Sequence, residues 1–158
     1  MTFEELALAA GVVFAGLWSG LLATLTTIMH PMLAAMDGRN FRNFMGAFLA
    51  FARKALFNYV CAIGMAVAPV VALVALWGEW SSASFVLTVI GLALVIIGVY
   101  IVSNVWKEPQ YDVILGWDPD ELPADWEAGR RRYFTINWIQ FATTWTAFAL
   151  FLIALISL

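Results

Sequence analysis

The chain has 158 residues, of which 63% are hydrophobic and only 12% are charged, and its formal net charge is −3. Soluble domains carry about 25% charged residues because their surfaces must be solvated. This composition therefore excludes an ordinary soluble domain, a disordered chain and a nucleic-acid binder. The single cysteine, Cys61, and the single histidine, His30, exclude an internal disulfide, a thiolate metal cluster and any site that needs two imidazoles. What remains is a membrane protein, whose first partner is the lipid bilayer.

Four long stretches without Asp, Glu, Lys or Arg cover most of the chain, and His30 is the one histidine within them. They are residues 6–36, 55–78, 80–106 and 133–158. Each exceeds the roughly 20 residues that a helix needs to cross a bilayer, and only helices or closed barrels satisfy their backbone in lipid. The sequence therefore predicts an all-α fold, an up-down four-helix membrane bundle that forms one domain. The expected spans are residues 6–29, 55–77, 81–106 and 133–157.

The basic residues predict the orientation of these spans. All eight lie between spans one and two or between spans three and four: Arg39, Arg42, Arg53, Lys54, Lys107, Arg130, Arg131 and Arg132. The positive-inside rule assigns this side to the cytoplasm. We therefore expect an integral protein of a bacterial inner membrane, with both termini outside and the basic loops in the cytoplasm.

The two basic connections differ in character. In residues 39–54, phenylalanines recur at helical spacings of three, four and three, at Phe41, Phe44, Phe48 and Phe51. This pattern predicts an amphipathic extension of helix two, partly at the membrane interface. Residues 107–125 are acidic and rich in proline, and they predict a cytoplasmic loop. Within it, residues 118–121 have the pattern of a capped turn, and a calcium loop is the alternative, although the EF-hand spacing is missing.

Polar side chains gather toward the basic ends of the spans. Helix four carries a stripe on one face, made of Trp126, Arg130, Tyr133, Asn137, Gln140 and Thr144. The other spans add Thr26, His30, Asn58, Tyr59, Ser103 and Asn104 near the same end. Because polar groups within a membrane usually point into the bundle, this asymmetry predicts a polar pocket open toward the cytoplasmic leaflet. The alternative is that His30 caps helix one and that the amides hold the helices together.

We expect five polar residues to converge in this pocket: His30, Asn104, Arg130, Asn137 and Gln140. Tyr111 and Trp126 should cover its opening. A buried Arg130 should pair with Asn, Gln or a loop carboxylate such as Asp125.

The residue types available within the spans predict no metal and no cofactor. A di-iron site needs carboxylates projecting inward from the helices, and no expected span contains one. A haem would have only His30 or Tyr59 as an axial ligand.

The chain resembles the anthrone oxygenase-like family of small four-span membrane proteins. The resemblance covers nearly the whole chain and rests on the first-span ending 30–33, the third-span ending 104–109, and the segment 122–126 followed by 130–133 and Asn137. Fungal members of the family oxidise anthrones to anthraquinones with molecular oxygen and no known metal. The resemblance implies the same bundle, with His30 as the base and Arg130, Asn137 and Asn104 holding phenolate oxygens. This chain departs from the family at Lys107 and Tyr111, where asparagines are common, and at Gln140, where an Arg-Thr pair is common.

Three functional hypotheses follow from the sequence. The first is a cofactor-independent oxygenase that acts on a lipophilic aromatic, anthrone-like substrate. The second is a non-enzymatic protein that binds a lipophilic small molecule or assists its transport. The third is a structural subunit, in a homo-oligomer or a larger membrane complex. The lack of carboxylates within the spans argues against proton-coupled transport.

Overall fold

A computed structural model describes all 158 residues and shows five helices and no strand. They are α1 (Phe3–Ala34), α2 (Gly38–Ala52), α3 (Leu56–Ala75), α4 (Ala83–Leu115) and α5 (Trp126–Ile156). All except α2 are long and apolar enough to cross a membrane. The structure thus confirms the all-α fold class and an integral membrane protein.

Local capping explains where several helices begin. Thr2 and Glu5 form a capping box at the start of α1, each side chain bonding the backbone N–H of the other. Asp37 accepts a hydrogen bond of 2.8 Å from the N–H of Asn40 and starts α2. Ser82 accepts from the N–H of Phe85 and starts α4. Each cap satisfies an N–H group that a helix leaves free in its first turn.

The four long helices pack in a ring. Helix α1 lies against α3 and α5, and α4 lies against α5 and α3. The centre of the bundle is filled by Met65, Val95 and Phe151 among other buried apolar residues. Gly91 allows close contact between α4 and α5, because a Cβ there would lie 2.6 Å from the ring of Phe151. The outward faces carry many exposed apolar side chains, as lipid-facing surfaces do.

The sequence had predicted that residues 39–54 extend the following helix, but in the structure they form a separate helix. Helix α2 ends at Ala52, and the chain turns through Arg53 before Ala55 becomes extended and caps α3. Side chains from the first turn of α3 stabilise this break. The amide of Asn58 donates to the Ala52 carbonyl at 2.9 Å, and the Tyr59 hydroxyl donates to the Arg53 carbonyl at 2.8 Å. The carbonyls freed at the end of α2 therefore have partners without a continuous helix.

The connection between the last two long helices is shorter than predicted. Helix α4 continues to Leu115 and α5 begins at Trp126, so the predicted loop 107–125 is reduced to residues 116–125. Burial explains the extra turns of α4, since Tyr111 and Ile114 pack against α2 and Tyr133. Residues 118–121 form a turn without a helix, with the Asp118 carboxylate accepting from the N–H of Asp120 at 2.9 Å.

Three π-helical segments interrupt the long helices. One, Leu25–Met29, lies in α1, and two, Ile96–Ile101 and Ser103–Lys107, lie in α4. The last ends just before Pro109, which has no N–H to donate to a regular helical turn. Such widened turns are rare in proteins, and those that do occur are frequently found at functional sites.

Candidate functional site

A cavity of about 760 Å³ lies between the basic-end halves of α1, α3 and α4. We call it the side cavity, and we call the end of the bundle that carries the eight Lys and Arg residues the basic end. Phe48 and Leu49 of α2 border the cavity at the basic end, and Trp18 of α1 borders it deeper in the bundle. Its volume lies within the roughly 300–1,000 Å³ of small-molecule sites.

All three π-helical segments border the side cavity. Leu25 and Met29 come from the segment in α1, Tyr100 from the first segment in α4, and Ser103 and Lys107 from the second. A π turn changes the direction of side chains and of carbonyl groups relative to a regular helix. In this protein, one such carbonyl, that of residue 98, accepts a side-chain hydrogen bond from α5. The irregular backbone is therefore part of the cavity wall.

Gln140 holds a lysine at this wall. Its amide Nε2 donates to the Gly98 carbonyl at 2.9 Å and to Ser103 Oγ at 2.8 Å, and its Oε1 accepts from Lys107 Nζ at 2.7 Å. The Gly98 carbonyl can only accept, so it determines which end of the amide is the NH₂ group. Gln140 is completely buried, while Lys107 and Ser103 line the side cavity.

Arg53 lies at the border of the cavity and binds two carboxylates of α4. Its guanidinium is 2.8 Å from Glu108 and 2.8 Å from Asp112, and it lies 5.4 Å from the ring centroid of Tyr111. The hydrogen bond to Asp112 raises the pKa of Arg53, with a further contribution from Glu108, against the opposing effect of burial. Arg53 thereby connects the α2–α3 turn to α4 beside the cavity.

Asn104 and Tyr111, two of the sequence-predicted site residues, line the side cavity. Asn104 is exposed, and its amide donates to the Tyr100 carbonyl at 2.7 Å. Tyr111 is buried and packs against Tyr133 with ring centroids 5.8 Å apart.

His30 and Asn137 meet in a separate place. Asn137 Nδ2 lies 3.2 Å from His30 Nε2, and it also donates to the Tyr133 carbonyl at 3.1 Å. The imidazole stacks on Phe134 at 4.3 Å between centroids, and Trp138 approaches it edge-on at 6.4 Å. We call these five residues the His30 cluster. None of them lines the side cavity.

Arg130 does not pair with Asn, Gln or Asp125, and that prediction is wrong. It donates to the carbonyls of Leu33 at 3.2 Å and of Met36 at 2.8 Å, where α1 ends. The last carbonyls of a helix have no intrahelical donor, and a cation there also interacts favourably with the helix dipole. Arg130 therefore caps α1.

Trp126 belongs to the same cap. Its ring lies 4.6 Å from the Arg130 guanidinium and 6.5 Å from the ring of Phe41. Neither Trp126 nor Arg130 lines the side cavity, so Trp126 does not cover its opening.

The predicted pocket is therefore divided into parts. His30 and Asn137 lie together, Asn104 and Tyr111 line the side cavity, Gln140 stands behind its wall, and Arg130 and Trp126 cap α1. Sequence reasoning missed the role of Lys107, which it counted among the basic residues of the connections and as a departure from the family pattern. A signal was present, because Ser103, Lys107 and Tyr111 recur every four residues and so share one helical face.

Comparison with protein-family models, with curated proteins and with solved structures gives no match for this chain. No group of three or more His, Cys, Asp or Glu side chains is placed to hold a metal ion. The geometry of the site itself is therefore what supports a function.

Proposed function

We propose that this integral membrane protein binds a lipophilic small molecule in the side cavity. The supporting observation is the cavity itself, which has the volume of a ligand site and whose 23 lining residues include 16 hydrophobic ones. Its polar groups are concentrated on one wall and at the basic end, which suits a ligand with an apolar body and a polar head. Lys107 and Asn104 supply hydrogen-bond donors for that head.

The ligand enters from the lipid in this proposal. Leu21, Phe57 and Ile63 line the cavity and are exposed on the outer surface of the bundle, so the cavity opens between helices where lipid would lie. The positive-inside rule puts the basic end at the cytoplasmic leaflet of the inner membrane. The polar head would then lie near that interface, and the apolar body would lie deeper, toward Trp18.

A substitution that fills the cavity with a larger side chain tests the proposal. Ala62 lines the side cavity, and Ala66, one turn further along α3, is also half-buried but does not line it. The wild type and Ala66→Phe, extracted directly into lipid nanodiscs, should carry a co-purifying lipophilic molecule in near-stoichiometric amount. Ala62→Phe should lose most of it, because the added ring occupies the cavity. Mass spectrometry of the extracted small molecules measures the amount, and equal amounts in all three proteins would contradict the proposal.

An oxygenase is the second candidate function. The resemblance to the anthrone oxygenase-like family supports it, and the specific observation is that Lys107 lines the side cavity. Anthrone oxidation removes a proton from the central CH₂, and the carbanion then reacts with O₂ to give anthraquinone and water. A cation beside the substrate oxygen would stabilise the anion formed in the first step. His30 does not line the side cavity, so its role as the base has no support from this geometry.

The oxygenase candidate makes a direct prediction. Anthrone incubated with the protein under O₂ should give anthraquinone faster than with empty nanodiscs. Lys107→Met should slow the reaction by about tenfold or more, as expected when a charge-stabilising group is lost, whereas His30→Gln should leave the rate nearly unchanged. The absorbance of anthraquinone measures the rate. A rate equal to that of empty nanodiscs would leave ligand binding without catalysis.

A further inference from the structure

The charges around the side cavity are unevenly paired. Arg53 takes both nearby carboxylates, Glu108 and Asp112, each at 2.8 Å. Lys107 has no carboxylate within salt-bridge distance, and its hydrogen-bond partner, Gln140, is a neutral amide. Lys107 is therefore the cavity-lining cation that lacks a counter-ion within the protein.

Gln140 accepts only one of the hydrogen bonds that the ammonium group of Lys107 can donate. An ammonium group has three N–H donors, and the fixed amide accepts from one of them. The NH₂ group of Gln140 is held by Gly98 and Ser103, so the side chain has no freedom to bring a second acceptor. A charged group in a largely apolar site is costly unless it is paired. The remaining donors of Lys107 therefore favour a negatively charged acceptor in the side cavity.

The other elements around the cavity offer no competing acid. The lining residues of α1 and of α3 include no carboxylate, and the α2–α3 turn contributes the cation Arg53. Glu108 is the acidic side chain among the lining residues, and Arg53 binds it. A counter-ion for Lys107 would then have to come from outside the protein.

We propose that the side cavity is selective for lipophilic acids, and that Lys107 is the residue that determines this selectivity. The ligand would place an ionised oxygen, a carboxylate or a phenolate, against Lys107 and its apolar body against the lining of α1 and α3. This inference rests on the proposed binding function and names the chemical class of the ligand. It involves a residue at which the chain departs from the family that it resembles.

Matched probe pairs test the selectivity. The first pair is anthracene-9-carboxylic acid and 9-anthracenemethanol, and the second is 9-phenanthrol and 9-methoxyphenanthrene. Binding of each probe to the protein in lipid nanodiscs is measured by fluorescence, with empty nanodiscs subtracted. The acidic member of at least one pair should bind about tenfold more tightly than its neutral partner, as expected for a charge-assisted hydrogen bond. The pair that shows this preference tells whether the acid is a carboxylate or a phenol.

Three variants assign the preference to Lys107. Lys107→Met should bring the two members of the pair to within about twofold of each other, whereas Lys107→Arg should retain the preference because it keeps the charge. Lys54→Met is the control, since Lys54 is exposed at the same end and does not line the cavity. It removes the same charge and should leave the preference intact.

The outcomes separate the two proposals. Equal affinity for both members of each pair in the wild type would overturn the selectivity while leaving ligand binding in place. A preference that Lys107→Met retains would also overturn it. If no probe, acidic or neutral, binds the wild type more than empty nanodiscs, ligand binding in the side cavity is itself wrong. The wild-type comparison stands even if Lys107→Met does not fold.

Discussion

At the scale of single residues, the side-chain amide of Asn137 links His30 of α1 to Tyr133 of α5. Its NH₂ group donates to the Tyr133 carbonyl, which can only accept. The same NH₂ group lies 3.2 Å from His30 Nε2, a nitrogen that can accept its second N–H. His30, Asn137 and Tyr133 are all nearly inaccessible to solvent. The His30 cluster is thus a buried contact between α1 and α5.

This contact predicts a loss of stability without a loss of ligand binding. Asn137→Leu keeps the approximate size but removes the donor to His30, so a buried acceptor loses its partner. The free energy of unfolding in detergent should fall by about 1–3 kcal/mol. The affinity of the side cavity for a lipophilic probe should stay the same, because Asn137 does not line it.

Thr146 provides the control for this measurement. It is exposed on α5 and bonds only the carbonyl of its own helix, that of Ala142. Thr146→Val should change the free energy of unfolding by less than about 0.5 kcal/mol. Probe binding lost in Asn137→Leu at unchanged stability would instead place the His30 cluster in the binding site.

At the scale of helices, apolar length was the informative property of the sequence. Lipid leaves no partner for backbone groups outside a helix, so four uncharged stretches were sufficient to predict the fold class. The ends of the helices depend on other forces. Helix α4 continues past the apolar stretch because Tyr111 and Ile114 are buried against α2, a contact that forms only in the folded bundle. The break before α3 depends on two side-chain hydrogen bonds, from Asn58 and Tyr59, that hydrophobic periodicity does not contain.

The site was less predictable than the fold for a related reason. The sequence showed that polar groups gather at one end of the bundle, but it could not show which helix faces meet. Helix α4 contains π-helical segments that periodicity does not predict, and Lys107, in one of them, bonds Gln140 of α5. Arg130 was expected to need a side-chain partner, but the end of α1 offers backbone carbonyls instead. Each of these outcomes depends on contacts between residues distant in the chain.

At the scale of the whole molecule, ion pairs and hydrogen bonds of the arginines connect the segments at the basic end. Arg39 binds Asp120, Arg42 donates to the carbonyls of Leu115 and Trp117, and Arg53 binds Asp112. These contacts join the two basic connections to each other. The side cavity lies next to these contacts, so the orientation of the bundle decides which leaflet would supply the proposed ligand.

Cysteine labelling in whole cells tests that orientation. The single native cysteine, Cys61, is 1% exposed and should react little with a membrane-impermeant maleimide. Ser157→Cys adds an exposed thiol at the C-terminal end, and Glu121→Cys adds one in the loop of the basic end. If the positive-inside rule holds, Ser157→Cys should be labelled in intact cells, and Glu121→Cys only after the membrane is permeabilised. The Cys61→Ala background measures non-specific labelling. The reverse pattern would place the basic end outside, and the outer leaflet would then be the source of the proposed ligand.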